Sequence, residues 1–177
     1  LDWNNGNRTI LVDPQLTGLI VGQTLHTSAA EIYRTLIEAT AFGSRKIIER
    51  IEEYGVQVKE VVVCGGIGEK SPLAMQIYSD ILGRPIKISR SAQTCALGSA
   101  VAASVAAGAH GSFLEAADKM TGYKDLSYSP DAHAVKVYDR IYGLYTQLHD
   151  AFGMHDHLAN LSNVMKDLLE IRREVVG

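Results

Sequence analysis

The sequence predicts a layered α/β fold, because short apolar runs alternate with segments of helical periodicity through much of the chain. Val61, Val62 and Val63 form a continuous β-branched run, which is typical of a parallel strand buried on both faces. A glycine-rich turn, a helical pattern over residues 73–82 and a second apolar run over residues 85–89 follow it. Strands and helices that alternate in this order predict a sheet covered by helices.

A long helix is predicted between Ser28 and Gly55. Ser28 and Glu31 have the spacing of a capping box, in which each side chain binds a free backbone N–H group of the other residue. Gly55 suits the left-handed position that follows many helices. Between them, apolar or small residues recur at helical spacing: Ile32, Leu36, Ala39, Gly43, Ile47 and Ile51. Two apolar runs precede this helix, residues 10–12 and 18–22, and their flanking turn residues predict short extended segments or turns.

Helices are predicted for most of the remaining chain. One covers about residues 94–107, where we interpret Gly98 as a position that allows close helix packing. No strand is predicted beyond it, and residues 121–131 are interpreted as a polar loop. The later helices are predicted over residues 112–120, 135–152 and 157–175. We therefore expect an α/β core over residues 1–110 and a helical C-terminal extension over residues 111–177.

The helix predicted over residues 135–152 carries an apolar stripe, which is typical of a core-facing surface. Its members recur at helical spacing: Tyr138, Ile141, Leu144, Tyr145 and Leu148. The one cluster of histidines, His155 and His157, follows this helix. Because residues two apart do not share a helix face, we expect an exposed loop there and no metal site.

Composition and charge narrow the classes of function. Of the 177 residues, 46% are hydrophobic and 21% are charged, as in ordinary globular proteins, and the net charge of -3 argues against a broad nucleic-acid-binding face. The longest apolar-rich stretch, residues 95–109, is shorter than the roughly 20 residues that a membrane span needs. The two cysteines, Cys64 and Cys95, lack metal-ligand spacing and fit a reducing cytoplasm. The first residues lack signal-peptide features and an initiator Met, so we expect a trimmed chain from a cytoplasmic protein with small-molecule or protein partners.

The turn that contains Gly65, Gly66, Ile67 and Lys70 is the strongest candidate for a ligand site. Glycines let a ligand come close to the backbone, and a helix that starts after a strand offers free N–H groups. Turns at the carboxyl ends of strands are also where α/β folds bind ligands. The turn therefore predicts a nucleotide or phosphate site, with Lys70 supplying charge or a hydrogen bond.

The local sequence leaves the type of nucleotide open. Ser71 occupies the position of the third glycine of a dinucleotide fingerprint, and Arg90 rather than an acidic residue follows the next strand. An NADP-type site, with Arg90 on the 2′-phosphate, is therefore weakly supported. A P-loop is disfavoured because Glu69 precedes Lys70 and Ser71 where glycine is required. We interpret Glu69 and Ser71 as caps at the helix start.

Several separated segments follow the pattern of one known family. Residues 18–22 (GLIVG) and 31–38 (EIYRTLIE) match its small-x-apolar-x-Gly and acidic-apolar-x-x-small-apolar-apolar-acidic signature, with departures at Gln23 and Thr35. The turn over residues 64–67, the passage over residues 76–85 and the helix at residues 96–100 fit as well. Together they resemble the C-terminal domain of the FGGY carbohydrate kinases. The opening residues 1–8 (LDWNNGNR) resemble the ribulokinase branch in particular.

This resemblance implies a fragment of a ribonuclease-H-like, actin-like ATPase domain. Such kinases place ATP and a sugar between two domains and transfer the γ-phosphoryl group to a ketopentose hydroxyl, here L-ribulose, with Mg²⁺ on the phosphates. The catalytic Asp comes from the N-terminal domain, so we expect no catalytic residue in this chain and no activity from it alone. The implied partners are ATP or ADP, the ketopentose, the protein's own N-terminal domain and a second copy in a homodimer. A non-enzymatic actin-like nucleotide-binding module is the alternative from another class, beside the NADP-binding domain.

The resemblance also assigns roles to residues of the chain. Gly65 and Gly66, with Ile67 and Lys70, correspond to the turn beside the adenosine or α-phosphate, and Thr24 is a candidate for the phosphate side. The polar and aromatic opening is placed near the interdomain cleft through four residues: Asp2, Trp3, Asn5 and Arg8. An exposed indole needs a partner, so it is expected to cover a sugar face or to pack on the other domain. The guanidinium of Arg8 is expected either to neutralise phosphate or to pair with the carboxylate of Asp2.

Overall fold

The computed structural model describes residues 1–176, which form seven helices and three strands. In chain order the elements are α1 (Ala29–Glu53), β1 (Val61–Val63), α2 (Gly66–Lys70), α3 (Pro72–Leu82), β2 (Ile86–Ser89), α4 (Thr94–Ala106), α5 (Phe113–Met120), β3 (Tyr123–Tyr128), α6 (Ala132–Gly153) and α7 (Val164–Val176). They fall into two compact units. The first unit comprises Leu1–Val58, Asp80–Gly83 and the chain from Pro130, and the second comprises Lys59–Ser79 and Arg84–Ser129.

Helix α1 of the first unit begins and ends as the sequence predicts. Ser28 Oγ accepts from the Glu31 N–H group at 3.3 Å, and Glu31 Oε2 accepts from the Ser28 N–H group at 2.7 Å. This capping box satisfies two donors that a helix start leaves free. At the other end Gly55 has a φ of +84°, the left-handed conformation expected after the last turn.

Helix α6 packs its aromatic stripe against α1, which confirms the predicted core face. Phe42 of α1 lies 5.4 to 6.0 Å, centroid to centroid, from the rings of Tyr138, Tyr142 and Tyr145. Below them a smaller apolar cluster joins α6 to α7 through Leu144, Val164 and Ile171. The N-terminus of α6 is fixed by the carboxylate of residue 131, which accepts from two backbone N–H groups.

Helix α7 begins at Val164, seven residues later than the sequence predicts. The preceding segment is irregular, and its His155 and His157 are exposed, as expected. Asn160 Oδ1 accepts from the Ser162 N–H group at 3.0 Å, a local bond that competes with helix formation. The apolar residues of the segment 157–163 led us to predict a helix, but its polar residues form local hydrogen bonds instead.

The second unit is built on a three-stranded sheet in the order β1-β2-β3. Strands β1 and β2 are parallel, with Val62 opposite Lys87. The alternation of strands and helices along the chain predicted this arrangement. Val62 is nonetheless 44% exposed, so the expectation that β1 is buried on both faces is wrong for the described residues. Strand β3 pairs with β2 in antiparallel fashion, with Lys87 opposite Ser127.

Strand β3 corrects the prediction of a polar loop over residues 121–131. Residues Tyr123–Tyr128 form a strand at the edge of the sheet, with a register shift in its pairing to β2, and all but the last are exposed. A strand that is exposed along its length shows no alternation of apolar and polar residues, so the pattern did not reveal it. The expectation that no strand follows the helix at residues 94–107 is therefore wrong.

The structure also tests the roles that we assigned to three residues of the second unit. Ser71 Oγ accepts from the Ala74 N–H group at 3.3 Å, so Ser71 does cap α3. Glu69 is not a cap, because its carboxylate instead pairs with Lys124 Nζ at 2.6 Å. Among residues 1–176, a Cβ built on Gly98 would meet no heavy atom within 4 Å. The interpretation that Gly98 allows close helix packing is therefore wrong.

Candidate functional site

The glycine turn between β1 and α2 contains two kinds of glycine. Gly65 has a φ of +85°, a conformation that residues with a Cβ rarely adopt. A Cβ on Gly65 or Gly66 would meet no heavy atom within 4 Å, so both face open space. Gly68 is buried, and a Cβ there would lie 3.0 Å from Val63 Cγ1. Gly68 therefore serves packing against the sheet, whereas Gly65 and Gly66 leave the backbone accessible to a ligand.

The side chains beside these glycines offer an apolar surface and a positive charge. Ile67 is 69% exposed, although it is a large aliphatic residue in a short helix. Lys70 is exposed at the end of the same helix. An exposed aliphatic group next to an open backbone can cover the flat face of a base, and an ammonium can approach a phosphate. Four of the five residues predicted for the nucleotide therefore lie in one short segment of the second unit, residues 65–70.

Thr24 belongs to the first unit, in the turn that leads into α1. Its N–H group donates to Thr27 Oγ1 at 2.8 Å, and its own hydroxyl oxygen accepts from the His26 N–H group at 3.2 Å. The turn borders an open cavity of about 230 Å³, which Gly22 and Arg172 also line. Thr24 therefore stabilises the turn in which it lies. Its exposed hydroxyl group can form a further hydrogen bond to a ligand.

Trp3 is only 3% exposed, which corrects the expectation of an exposed indole. Its ring lies edge-on to the imidazole of His149, with centroids 5.3 Å apart, and it is close enough to Gly153 that a Cβ there would touch the indole. The indole Nε1 is buried without a hydrogen-bond partner in the described structure. Trp3 consequently anchors the N-terminal segment within the first unit, and its face is not presented to solvent.

Asp2 and Arg8 do not pair, so that alternative for Arg8 is wrong. Asp2 Oδ1 accepts from Tyr145 Oη at 3.0 Å, and its carboxylate lies against α1 at Gly43, where any Cβ would collide with it. Burial, followed by the nearby Asp2 carboxylate, raises the pKa of Tyr145. Arg8 Nη2 instead donates to Asn5 Oδ1 at 3.4 Å, and both side chains are exposed. The opening segment thus has a buried side, with residues 2 and 3, and a polar side that faces solvent.

A row of tyrosine–carboxylate pairs crosses the contact between α1 and α6, and the sequence did not predict it. Tyr138 Oη donates to Glu38 Oε1 at 2.8 Å, and Tyr142 Oη donates to the carboxylate of residue 49 at 2.5 Å. Arg34 donates to both members of the first pair, at 2.8 and 2.9 Å. Burial, then Glu38, raises the pKa of Tyr138 to about 12. The tyrosine spacing signalled only a core face, because the acidic partners lie about 100 residues away in sequence.

Arg90 does not occupy a position that suits the NADP alternative. Its Nη2 donates to the Thr121 carbonyl oxygen at 3.0 Å, and its guanidinium lies against Gly122. The side chain thus holds the connection into β3. Among residues 1–176, moreover, no three His, Cys, Asp or Glu side chains come together as a metal site would need, and no helix is long and apolar enough to cross a membrane.

Comparison with known proteins places these features in a family context. The model of the FGGY family of carbohydrate kinases, C-terminal domain, matches residues 1–107. A ribulokinase of Shouchella clausii is 46% identical over 181 aligned residues, which cover 100% of this chain and 31% of that protein. A ribulokinase of Geobacillus thermodenitrificans is 48% identical over 95% of this chain and 30% of its own length. The chain therefore spans about a third of the curated relatives that it matches.

Solved structures show the fold. A ligand-bound xylulose kinase from Lactobacillus acidophilus superposes with a TM-score of 0.76 at 22% identity, over 86% of this chain and 30% of that chain. A gluconate kinase from the same organism gives a TM-score of 0.75 over the same shares. The predicted fold class, part of a ribonuclease-H-like, actin-like ATPase domain rich in helices, is thereby confirmed.

Proposed function

Because the chain belongs to the FGGY family of carbohydrate kinases, we propose that it is part of the C-terminal, nucleotide-binding domain of a ribulokinase. The full-length enzyme transfers the γ-phosphoryl group of ATP to a hydroxyl of L-ribulose. Similarity to ribulokinases along the whole chain is the observation that carries this proposal. Mg²⁺ screens the phosphates when bound, and the base that accepts the hydroxyl proton is an Asp of the N-terminal domain. We propose that the enzyme is cytoplasmic.

The glycine turn forms the adenosine side of the ATP site in this proposal. The open backbone at Gly65 and Gly66 receives the adenosine or its α-phosphate, and the exposed side chain of Ile67 covers an apolar face of it. Lys70 supplies positive charge towards the phosphates. In the first unit, we propose Thr24 as a residue that binds phosphate. The glycines are best supported, because a Cβ at either of them would meet no heavy atom within 4 Å, which leaves room for a ligand beside the strand end.

The N-terminal segment faces the sugar side of the cleft in this proposal. Asn5 and Arg8 are its exposed polar side chains and are suited to bind sugar hydroxyls or a phosphate. Asp2 and Trp3, assigned to the cleft with them, contribute from the buried side, where they fix the segment against α1 and α6. The other partner of this surface is the N-terminal domain of the same protein.

The test uses the full-length protein with ATP and Mg²⁺ and measures ADP release with a panel of ketopentoses. We expect kcat/KM to be highest with L-ribulose, above D-ribulose and D-xylulose. Highest activity with another ketopentose would correct the substrate. An absence of sugar-dependent ADP release with every ketopentose, while ATP still binds, would contradict the kinase assignment and favour a nucleotide-binding module without catalysis.

A further inference from the structure

His149 is a buried imidazole that the proposed ATP and sugar surfaces do not use. It lies on α6 with 1% of its surface exposed, between the rings of Trp3 and Tyr145 at centroid distances of 5.3 and 6.1 Å. Both ring nitrogens have polar neighbours. Nδ1 lies 2.9 Å from Asp150 Oδ1, and Nε2 lies 3.4 Å from Asn7 Nδ2. The ring is therefore held by contacts with two aromatic rings and by polar contacts at both of its nitrogens.

Asn7 joins this buried ring to the exposed N-terminal segment. Its Oδ1 accepts from the N–H groups of Ile10 and Leu11, each at 3.1 Å. With the oxygen committed to two donors, the amide nitrogen is the atom that faces His149. The backbone of Asn7 also exchanges two hydrogen bonds with Asp13, at 2.8 and 2.9 Å. Asn7 thus closes the loop over residues 7–13 and fastens it to α6.

The donors and acceptors around His149 select one form of the ring. An amide nitrogen only donates, so Nε2 must present its lone pair to Asn7. The ring proton then sits on Nδ1 and is donated to Asp150. An acceptor on one edge and a donor on the other is the neutral Nδ1–H tautomer. This assignment follows from the hydrogen-bond network, as tautomers generally must.

The segment before Asn7 is short and is held at each end. Trp3 is buried beside the His149 ring, and its carbonyl oxygen accepts from the Gly6 N–H group at 3.1 Å. Gly6 has a φ of +76° and runs so close to the backbone of Pro14 that a Cβ would collide with it. Between these fixed points lies Asn5, and directly after Asn7 comes Arg8.

We propose that His149 is a positioning residue that, through Asn7, holds the exposed Asn5 and Arg8 in the arrangement needed for sugar binding. The assignment of these two side chains to sugar rests on the proposed function. The link from His149 to Asn7 rests on the contacts alone. Loss of His149 should therefore loosen the segment first and weaken sugar binding as a result, while the transfer step is retained.

The test compares three substitutions of His149 in the full-length protein. His149→Phe keeps a ring between Trp3 and Tyr145 but removes both nitrogens, whereas His149→Gln retains an amide that can accept from Asn7. Tyr142→Phe is the matched control, because it removes a hydroxyl bonded to Glu49 from the same buried face of α6 without touching Asn7. His149→Leu also removes both nitrogens, with a smaller side chain, so that the proposal stays testable if His149→Phe fails to fold.

Two readouts decide the outcome. Hydrogen exchange of the Ile10 and Leu11 amides should rise about five- to tenfold in His149→Phe and His149→Leu, as expected when one hydrogen bond that holds a loop is lost. It should stay near the wild-type rate in His149→Gln and Tyr142→Phe. In the kinase assay, KM for the ketopentose should rise by a similar factor in the first two variants with kcat nearly unchanged, and His149→Gln should restore it.

Each departure from this pattern has a distinct meaning. Unchanged exchange at Ile10 and Leu11 in His149→Phe and His149→Leu would overturn the proposed link. Faster exchange with an unchanged KM would overturn the role in sugar binding. If the wild-type protein phosphorylates no ketopentose, the proposed function fails, and the exchange measurements still decide whether His149 holds the loop.

Discussion

Gly66 is the residue at which the nucleotide proposal can be separated from folding. Its φ is not in the left-handed region, and a Cβ there would meet open space. A side chain at this position therefore leaves the described structure undisturbed, yet it projects into the volume assigned to the nucleotide. Gly65 does not offer this separation, because its φ of +85° and ψ of -179° are essentially restricted to glycine, and any side chain there would cost about 1–3 kcal/mol.

Gly66→Asp is expected to weaken ATP binding at least tenfold while lowering the unfolding free energy by less than about 0.5 kcal/mol. The carboxylate would stand beside anionic phosphates. Calorimetric titration with ATP and urea unfolding measure the two quantities on the full-length protein. Gly143→Asp is the control for added charge, since Gly143 lies on α6 and a Cβ there also meets no heavy atom within 4 Å. Equal ATP affinity in the two variants would contradict the assignment of Gly66.

Single residues also mark where sequence reasoning failed. Trp3 looked exposed because its neighbours Asn4, Asn5 and Gly6 are polar or turn-forming, but it packs on His149 of α6. Nothing local in sequence signals such a contact. The glycines at 65 and 66 were recognisable, by contrast, because a strand followed by glycines and a helix is a local pattern. Features that depend on neighbouring residues, such as the glycine turn, are therefore predictable from this sequence. Contacts between residues that are distant in sequence are not.

At the scale of elements, α1 owes part of its stability to its capping box. We expect Ser28→Ala to lower the free energy of unfolding by about 1 kcal/mol, because the N–H group of Glu31 loses its acceptor. Urea unfolding gives the value. Ser99→Ala is the comparison, since Ser99 lies in the middle of α4 on an exposed surface and alanine is the better helix former. A loss in Ser99→Ala as large as that in Ser28→Ala would show that the cap has no special role.

The tyrosine row of α6 predicts how stability depends on alkaline pH. Burial, with Glu38 as the second cause, raises the pKa of Tyr138 to about 12, from about 10 in an unfolded chain. A raised pKa favours the neutral hydroxyl in the folded state. Its contribution is therefore complete below about pH 10 and is lost as the pH rises through about 12. Burial raises the pKa values of Tyr142 and Tyr145 as well.

The corresponding experiment follows urea unfolding between about pH 8 and 12 for the wild type and for Tyr138→Phe. The variant should be less stable at neutral pH by about 1 kcal/mol, because the hydrogen bond to Glu38 is lost. Its stability should then fall less steeply above about pH 10 than that of the wild type. Parallel curves for the two proteins would show that Tyr138 titrates normally.

Helices with a periodic apolar face were predictable, whereas an exposed strand was not. Helices α1 and α6 have periodic apolar faces, and both appear where the pattern places them, within a few residues. Strand β3 is exposed along nearly its whole length, so no alternation marked it. Helix α7 was predicted to start too early because apolar residues before it resemble a helix face, whereas Asn160 and Ser162 form a local turn.

At the scale of the whole molecule, the fold follows from the sequence more completely than the site does. The α/β order and the family motifs over residues 1–107 indicated the fold that the sugar-kinase structures show. The proposed site residues are harder to predict, because each segment is marked only by a local pattern and the curated relatives are about three times as long as this chain. Thr24 and the opening segment lie in the first unit, and the glycine turn lies in the second.

The central claim is that the turn at Gly65 and Gly66 is the adenosine side of an ATP site. The most direct measurement is photolabelling of the full-length protein with 8-azido-ATP, followed by identification of the labelled peptide. We expect label on the peptide that contains residues 64–70, and we expect ATP, but not NADPH, to prevent it. Labelling that avoids this peptide, or that NADPH prevents as well as ATP does, would contradict the account.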